Sequence, residues 1–157
     1  PRSTLFPYTT LFRSEEEIVA VLAHETGHYK RHHVPVMMLS SVLTTGLILF
    51  LFSLVVDNPG LSKALGAETP SFHLGLIVFG ILYSPLSLLI GLISNIISRR
   101  HEFAADRYAN NNYSADHLSN ALKKLSVKNL SNMMPHPAYV FFHYSHPPLL
   151  KRLEKLE

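Results

Sequence analysis

The 23 residues Val34–Val56, VPVMMLSSVLTTGLILFLFSLVV, carry no formal charge. At about 1.5 Å per residue, a helix of that length exceeds the roughly 30 Å hydrocarbon core of a bilayer. A second uncharged run, Leu74–Ser98, is 25 residues long. Both pass the threshold of about 18 residues above which an apolar run reads as a transmembrane helix and not a buried soluble one. Gly46, Gly75, Gly80 and Gly91 are expected to let helices approach closely, and Pro85 to kink the second span. Asn95, near the end of that span, is expected to bond a neighbouring helix and is given no part in chemistry. The predicted fold is all-α and integral to the membrane, with transmembrane helices at about 34–56 and 74–98.

The flanking charges orient this hairpin. Lys30 and Arg31 precede the first run and Arg99 and Arg100 follow the second, whereas the connection Asp57–His73 holds Lys63 against Asp57 and Glu68. Basic residues stay on the cytoplasmic side, so both flanks are expected there and the chain after Arg100 returns to the face it left at Arg31. Residues 99–157 contain nine Lys or Arg against five Asp or Glu, which suits a domain lying on an anionic leaflet and does not require a nucleic-acid partner. The absence of cysteine removes a thiol nucleophile, disulfides, a Cys-based zinc site and Cys lipidation.

Immediately before the first run stands His24-Glu25-Thr26-Gly27-His28. A helix turns about 100° per residue, so two imidazoles four apart lie one above the other and can share one metal ion. Glu25 then sits beside the metal without ligating it, placed to take a proton from an activated water. Helical context comes from Ser14 followed by Glu17 in a capping-box pattern, from Glu15–Glu17 at the positive end of the helix dipole, and from Ile18, Val21 and Leu22 on one face. The bland alternative is a chance HExxH on a solvated helix.

A zinc hydrolase site has three protein ligands and an open fourth position. His32 lies two turns, about 12 Å, from His24 on a straight helix and is too far to join the same tetrahedron. The metzincin pattern fails because Arg31 and Val34 stand where its Gly and third His belong. Where the hairpin returns, Glu102 and Asp106 are one helical turn apart within RRHEFAAD. Glu102 is the expected third ligand, and Asp106 is expected to accept from the far nitrogen of a ligand histidine. A solvated acidic pair balancing Arg99, Arg100 and Arg107 is the competing reading.

The ordered set AHETGHYKRHH, two spans, SRRHEFAADRYA and YSHPPLLKRLEKL resembles the type I CAAX prenyl endopeptidase family of integral-membrane zinc metallopeptidases, from about Glu15 to the C-terminus. The resemblance implies a gluzincin-type (zincin) active site: one Zn²⁺ per chain held by His24, His28 and Glu102, Glu25 as catalytic base, and Asp106 in support. It also implies that His146 and Arg152 stabilise the oxyanion or the substrate backbone. On the residues alone, His146 is a neighbour of a helix entrance set by Pro147 and Pro148, and Arg152 is a solvated helix charge. The implied substrate is a peptide or protein, prenylated or not, cleaved at the cytoplasmic side of a multi-pass membrane protein.

Ser114 is expected to begin an amphipathic helix with Leu118, Ala121, Leu122 and Leu125 on one side, and Asn129–Tyr144 to form a loop bordering a substrate groove. His33, His73 and His101 are read as membrane-boundary residues, and His117, His136 and His143 as polar loop residues, none with a role. Residues 1–14, PRSTLFPYTTLFRS, read as a non-native segment, which makes residues 15–157 the C-terminal part of a membrane metallopeptidase with further transmembrane helices upstream. A quality-control peptidase of the same chemistry, a metal transporter and an inactive membrane scaffold are the rival functions. The transporter reading is disfavoured by the position of the motif outside the spans and by the lack of charge within them.

Overall fold

The computed structural model describes residues 14–157. The reading of residues 1–14 as a non-native segment therefore lies outside the described residues, Ser14 excepted. Among the described residues there are seven helices and no strand: α1 (Glu15–Lys30), α2 (His33–Val55), α3 (Pro59–Ala64), α4 (Phe72–Asn112), α5 (Ala115–Lys128), α6 (Pro137–His143) and α7 (Leu149–Leu156). They form two compact units, residues 34–91 and residues 14–33 with 92–157.

In the first unit, α2 and the beginning of α4 are apolar on all sides. The most apolar stretches of these helices are 0% and 6% buried, the reverse of a soluble core helix. Phe52 packs edge-on against Phe72 and Phe79, and Phe79 stacks on Tyr83. Gly75 lies against the Val56 backbone, where a Cβ would come within 2.6 Å of the Val56 carbonyl oxygen. Gly46, Gly80 and Gly91 meet nothing within 4 Å, so close packing is confined to Gly75 among the four glycines expected to provide it. Asn58 caps α3 by accepting from the Gly60 and Leu61 amides, with Pro59 in the first turn.

The second unit is built on α1, α5 and α7. Ser14 accepts from the Glu17 amide, but the Glu17 side chain does not close the capping box. It crosses instead to α5, where Lys124 Nζ donates to both its oxygens at 2.6 Å. Ala20, Ala109, Leu118, Leu122 and Leu156 form the core, flanked by Ala23, Ala115 and Leu149. Small residues from α1 and α4 face larger leucines from α5 and α7, so the helices interdigitate. Lys155 of α7 sits 3.7 Å above the Phe103 ring of α4.

Two boundaries differ from expectation. α4 does not stop near Ser98 but continues for 41 residues, through Pro85 and through the acidic pair, to Asn112. The polarity change at Arg99 ends the apolar run, not the helix, because Arg, Glu and Ala are all good helix formers. The expected loop Asn129–Tyr144 contains α6, which has Pro137 in its first turn and His136 as a cap accepting from the Ala138 amide.

Candidate metal centre

Helix α1 supplies His24, Glu25 and His28, and α4 supplies Glu102 and Asp106. Gly27 sets the distance between these two helices. A Cβ there would meet the Ala105 Cα and the Tyr108 Cβ at 3.0 Å each, so hydrogen is the side chain that lets α1 lie this close to α4. The spacing brings three ligand atoms to one point. His24 Nε2 and His28 Nε2 are 3.2 Å apart, Glu102 Oε2 is 3.7 Å from the first and Oε1 3.5 Å from the second.

These separations are what a tetrahedral metal requires. Bonds of about 2.0–2.1 Å to nitrogen and oxygen place neighbouring ligands roughly 3.3 Å apart. The donor set of two imidazoles and one carboxylate suits zinc and leaves a fourth position open. Two imidazole lone pairs facing each other beside a carboxylate would repel unless a proton or cation lay between them. The three residues are the one group with metal-ligand spacing among the described residues. Glu25 is exposed and stands outside that group.

Surrounding groups fix the ligands. His24 Nδ1 is buried and lies 2.9 Å from Asp106 Oδ1, at an angle short of an aligned hydrogen bond. A carboxylate only accepts, so this contact assigns the proton to Nδ1 and leaves Nε2 free to ligate. Arg152 of α7 forks onto Asp106, with Nε donating to Oδ2 at 2.8 Å and Nη2 to Oδ1 at 2.6 Å, and its Nη1 is 3.3 Å from Glu102 Oε2. His146 Nε2 is 3.4 Å from Glu102 Oε1, while its Nδ1 is 3.0 Å from Ser145 Oγ and its side chain is 66% exposed. His146 thus stands at the open side of the centre. Arg152 is buried and committed to the two carboxylates, which is a different placement from the solvated helix charge its sequence context suggests.

The electrostatics follow the contacts. Burial, reinforced by the nearby His24, lowers the His28 pKa from its ordinary 6.5 and keeps the imidazole unprotonated and able to ligate. Asp106 lies beyond the apolar stretch of α4. Burial alone would raise its carboxyl, but the His24 imidazole beside it and the hydrogen bonds from Arg152 hold it below the usual carboxylate range.

His32, Asn95 and Arg99 lie outside the group with metal-ligand spacing. His32 takes φ 55° just after α1, and its amide donates to the Tyr29 carbonyl. This left-handed step ends α1 and starts α2 one residue later, so His32 does not continue the ligand helix. Asn95 donates to the Phe142 carbonyl at 2.8 Å, and Arg99 donates to the carbonyls of Val140 and Tyr144. Together they fasten α6 to α4 and deliver the chain to His146. The proline at the start of α6 was a signal for that helix; Asn95 was expected to bond a neighbouring helix, and nothing local pointed to Arg99.

The chain is similar to known proteins. The family described as Peptidase family M48 matches residues 3–157. The rice (Oryza sativa subsp. japonica) protein named CAAX prenyl protease 1 homolog is 40% identical over 157 residues, covering 96% of this chain and 36% of the relative. The Saccharomyces cerevisiae CAAX prenyl protease 1 is 36% identical, covering 99% of this chain and 38% of its own length. A crystal structure of S. mikatae Ste24p superimposes with a TM-score of 0.78 at 35% identity, covering 89% of this chain and 36% of that one. The chain therefore spans a little over a third of the length of these relatives.

Proposed function

The chain belongs to peptidase family M48, and on that premise we propose that it carries the active site of a membrane zinc endopeptidase. The observation that carries the proposal is the convergence of His24 Nε2, His28 Nε2 and the Glu102 carboxylate at 3.2–3.7 Å. Zinc held there would supply Lewis acidity and a water of lowered pKa. Glu25 accepts the proton of the attacking water and returns it to the departing amine. His146, exposed beside Glu102, donates to the oxyanion that develops on the scissile carbonyl. Arg152 contributes by holding Asp106 and Glu102 in place, and through Asp106 the His24 ring, so its effect on the oxyanion is one of orientation.

The relatives' names give the substrate class. We extend it to this chain as a peptide or protein bearing a prenylated cysteine near its C-terminus, cleaved on the C-terminal side of that cysteine. A cytoplasmic active site belongs to the same proposal and rests on Lys30, Arg31, Arg99 and Arg100 flanking the two apolar runs.

The test is cleavage by the intact protein in detergent of a prenylated peptide, of its unprenylated twin and of an unfolded protein, with zinc content measured in parallel. Preference for the prenylated peptide supports the proposal. Equal cleavage of the unfolded protein assigns the same site to broad-specificity quality control. His28→Ala and Glu102→Ala are each expected to lose zinc and activity together, and zinc retained in both would remove the ligand assignment.

A further inference from the structure

The two ligand histidines are supported differently. The far nitrogen of His24 meets a carboxylate, whereas His28 Nδ1 lies 3.0 Å from Nδ1 of another histidine, His33. His33 is 6% exposed although it opens an apolar helix. Its ring stacks on that of His101 of α4, with centroids 4.0 Å apart and planes at 4°. On an unbroken helix a residue five positions on would point about 140° away from His28. The left-handed step at His32 brings it back.

We propose that His33 is a positioning residue for the metal centre, accepting a hydrogen bond from His28 Nδ1–H and so fixing the tautomer and ring angle of that ligand. The chemistry dictates the polarity. A metal takes the lone pair of His28 Nε2, which places the proton on Nδ1; His33 must then present Nδ1 as acceptor and carry its own proton on Nε2. The flat stack on His101 holds the His33 ring in the plane this bond needs. A neutral imidazole leaves His28 less anionic in character than a carboxylate partner would, so the two ligands donate unequally to the metal. The inference rests on the zinc site proposed above.

Two variants separate the hydrogen bond from packing. His33→Phe keeps a flat ring to stack on His101 and removes the acceptor; His33→Asn keeps an acceptor near the Nδ1 position and removes the ring. In the intact protein in detergent, zinc affinity is read by competition with a chelator, with helicity and Tm as controls on folding. The expected result is a roughly 10–100-fold weaker Kd in His33→Phe, with most of it recovered in His33→Asn. Unchanged zinc affinity in His33→Phe overturns the inference, as does an equal loss in the two variants, which would make the ring a packing element. A wild-type protein that binds no zinc instead refutes the site itself, and that outcome is distinct from either.

Discussion

At the residue scale, the centre is a chain of paired groups: Arg152 donates to Asp106, Asp106 faces His24 Nδ1 at 2.9 Å, and His24, His28 and Glu102 form a group that could hold a metal. Removing a link should weaken metal binding without removing a ligand. Asp106→Ala is expected to lower zinc affinity about 10–100-fold, the usual effect of losing a carboxylate behind a ligand histidine, whereas Glu102→Ala should abolish binding. Chelator competition on both variants distinguishes the two roles. His28 also sets a pH dependence. Because its pKa is lowered in the folded chain, its neutral form contributes stability that is complete above the unfolded value of 6.5 and is lost as the pH falls through the lowered folded value. The Tm of metal-free protein should therefore drop below pH 6.5, and His28→Gln should flatten part of that fall.

At the element scale, the site depends on how closely α1 and α4 pack and on how firmly α5 holds α1. Gly27→Leu places a branched side chain where a Cβ already meets the Ala105 backbone at 3.0 Å; it should cost about 1–3 kcal/mol by overpacking and, by separating the ligands, reduce zinc content more than a distant change of equal cost. Leu118, 1% exposed at the centre of the core, should cost about 2–5 kcal/mol as Leu118→Ala, read from Tm or denaturant midpoints. The amphipathic pattern of α5 and the i,i+4 spacing of His24 with His28 and of Glu102 with Asp106 were legible in the sequence, because helix periodicity is local and these residues lie within single helices. His33 was not legible. Its meeting with His28 depends on a left-handed histidine at position 32, where Gly or Asn is the usual signal of such a break. Gly27 was hidden for a related reason, since its role is defined by Ala105 and Tyr108 on another helix. The end of α4 at Asn112 was not marked by the apolar run, because a change from apolar to charged residues limits that run without interrupting backbone hydrogen bonds.

At the scale of the whole molecule, two helices long and apolar enough to cross a bilayer occur in one chain with a polar group that could hold a metal, His24 and His28 from α1 and Glu102 from the polar end of the second apolar helix, α4. The most apolar stretches of α2 and α4 are exposed among the described residues, a surface that lipid, detergent or further helices would cover. The second of these helices, α4, runs on past its apolar stretch to carry Glu102 and Asp106. The most direct measurement of this account is zinc content and peptide cleavage by the intact protein in detergent, wild type against Glu25→Gln. The account predicts one zinc per chain in both, with cleavage in the wild type and its loss by several orders of magnitude in the variant. Cleavage that survives Glu25→Gln, or a folded wild type that holds no zinc, would contradict it.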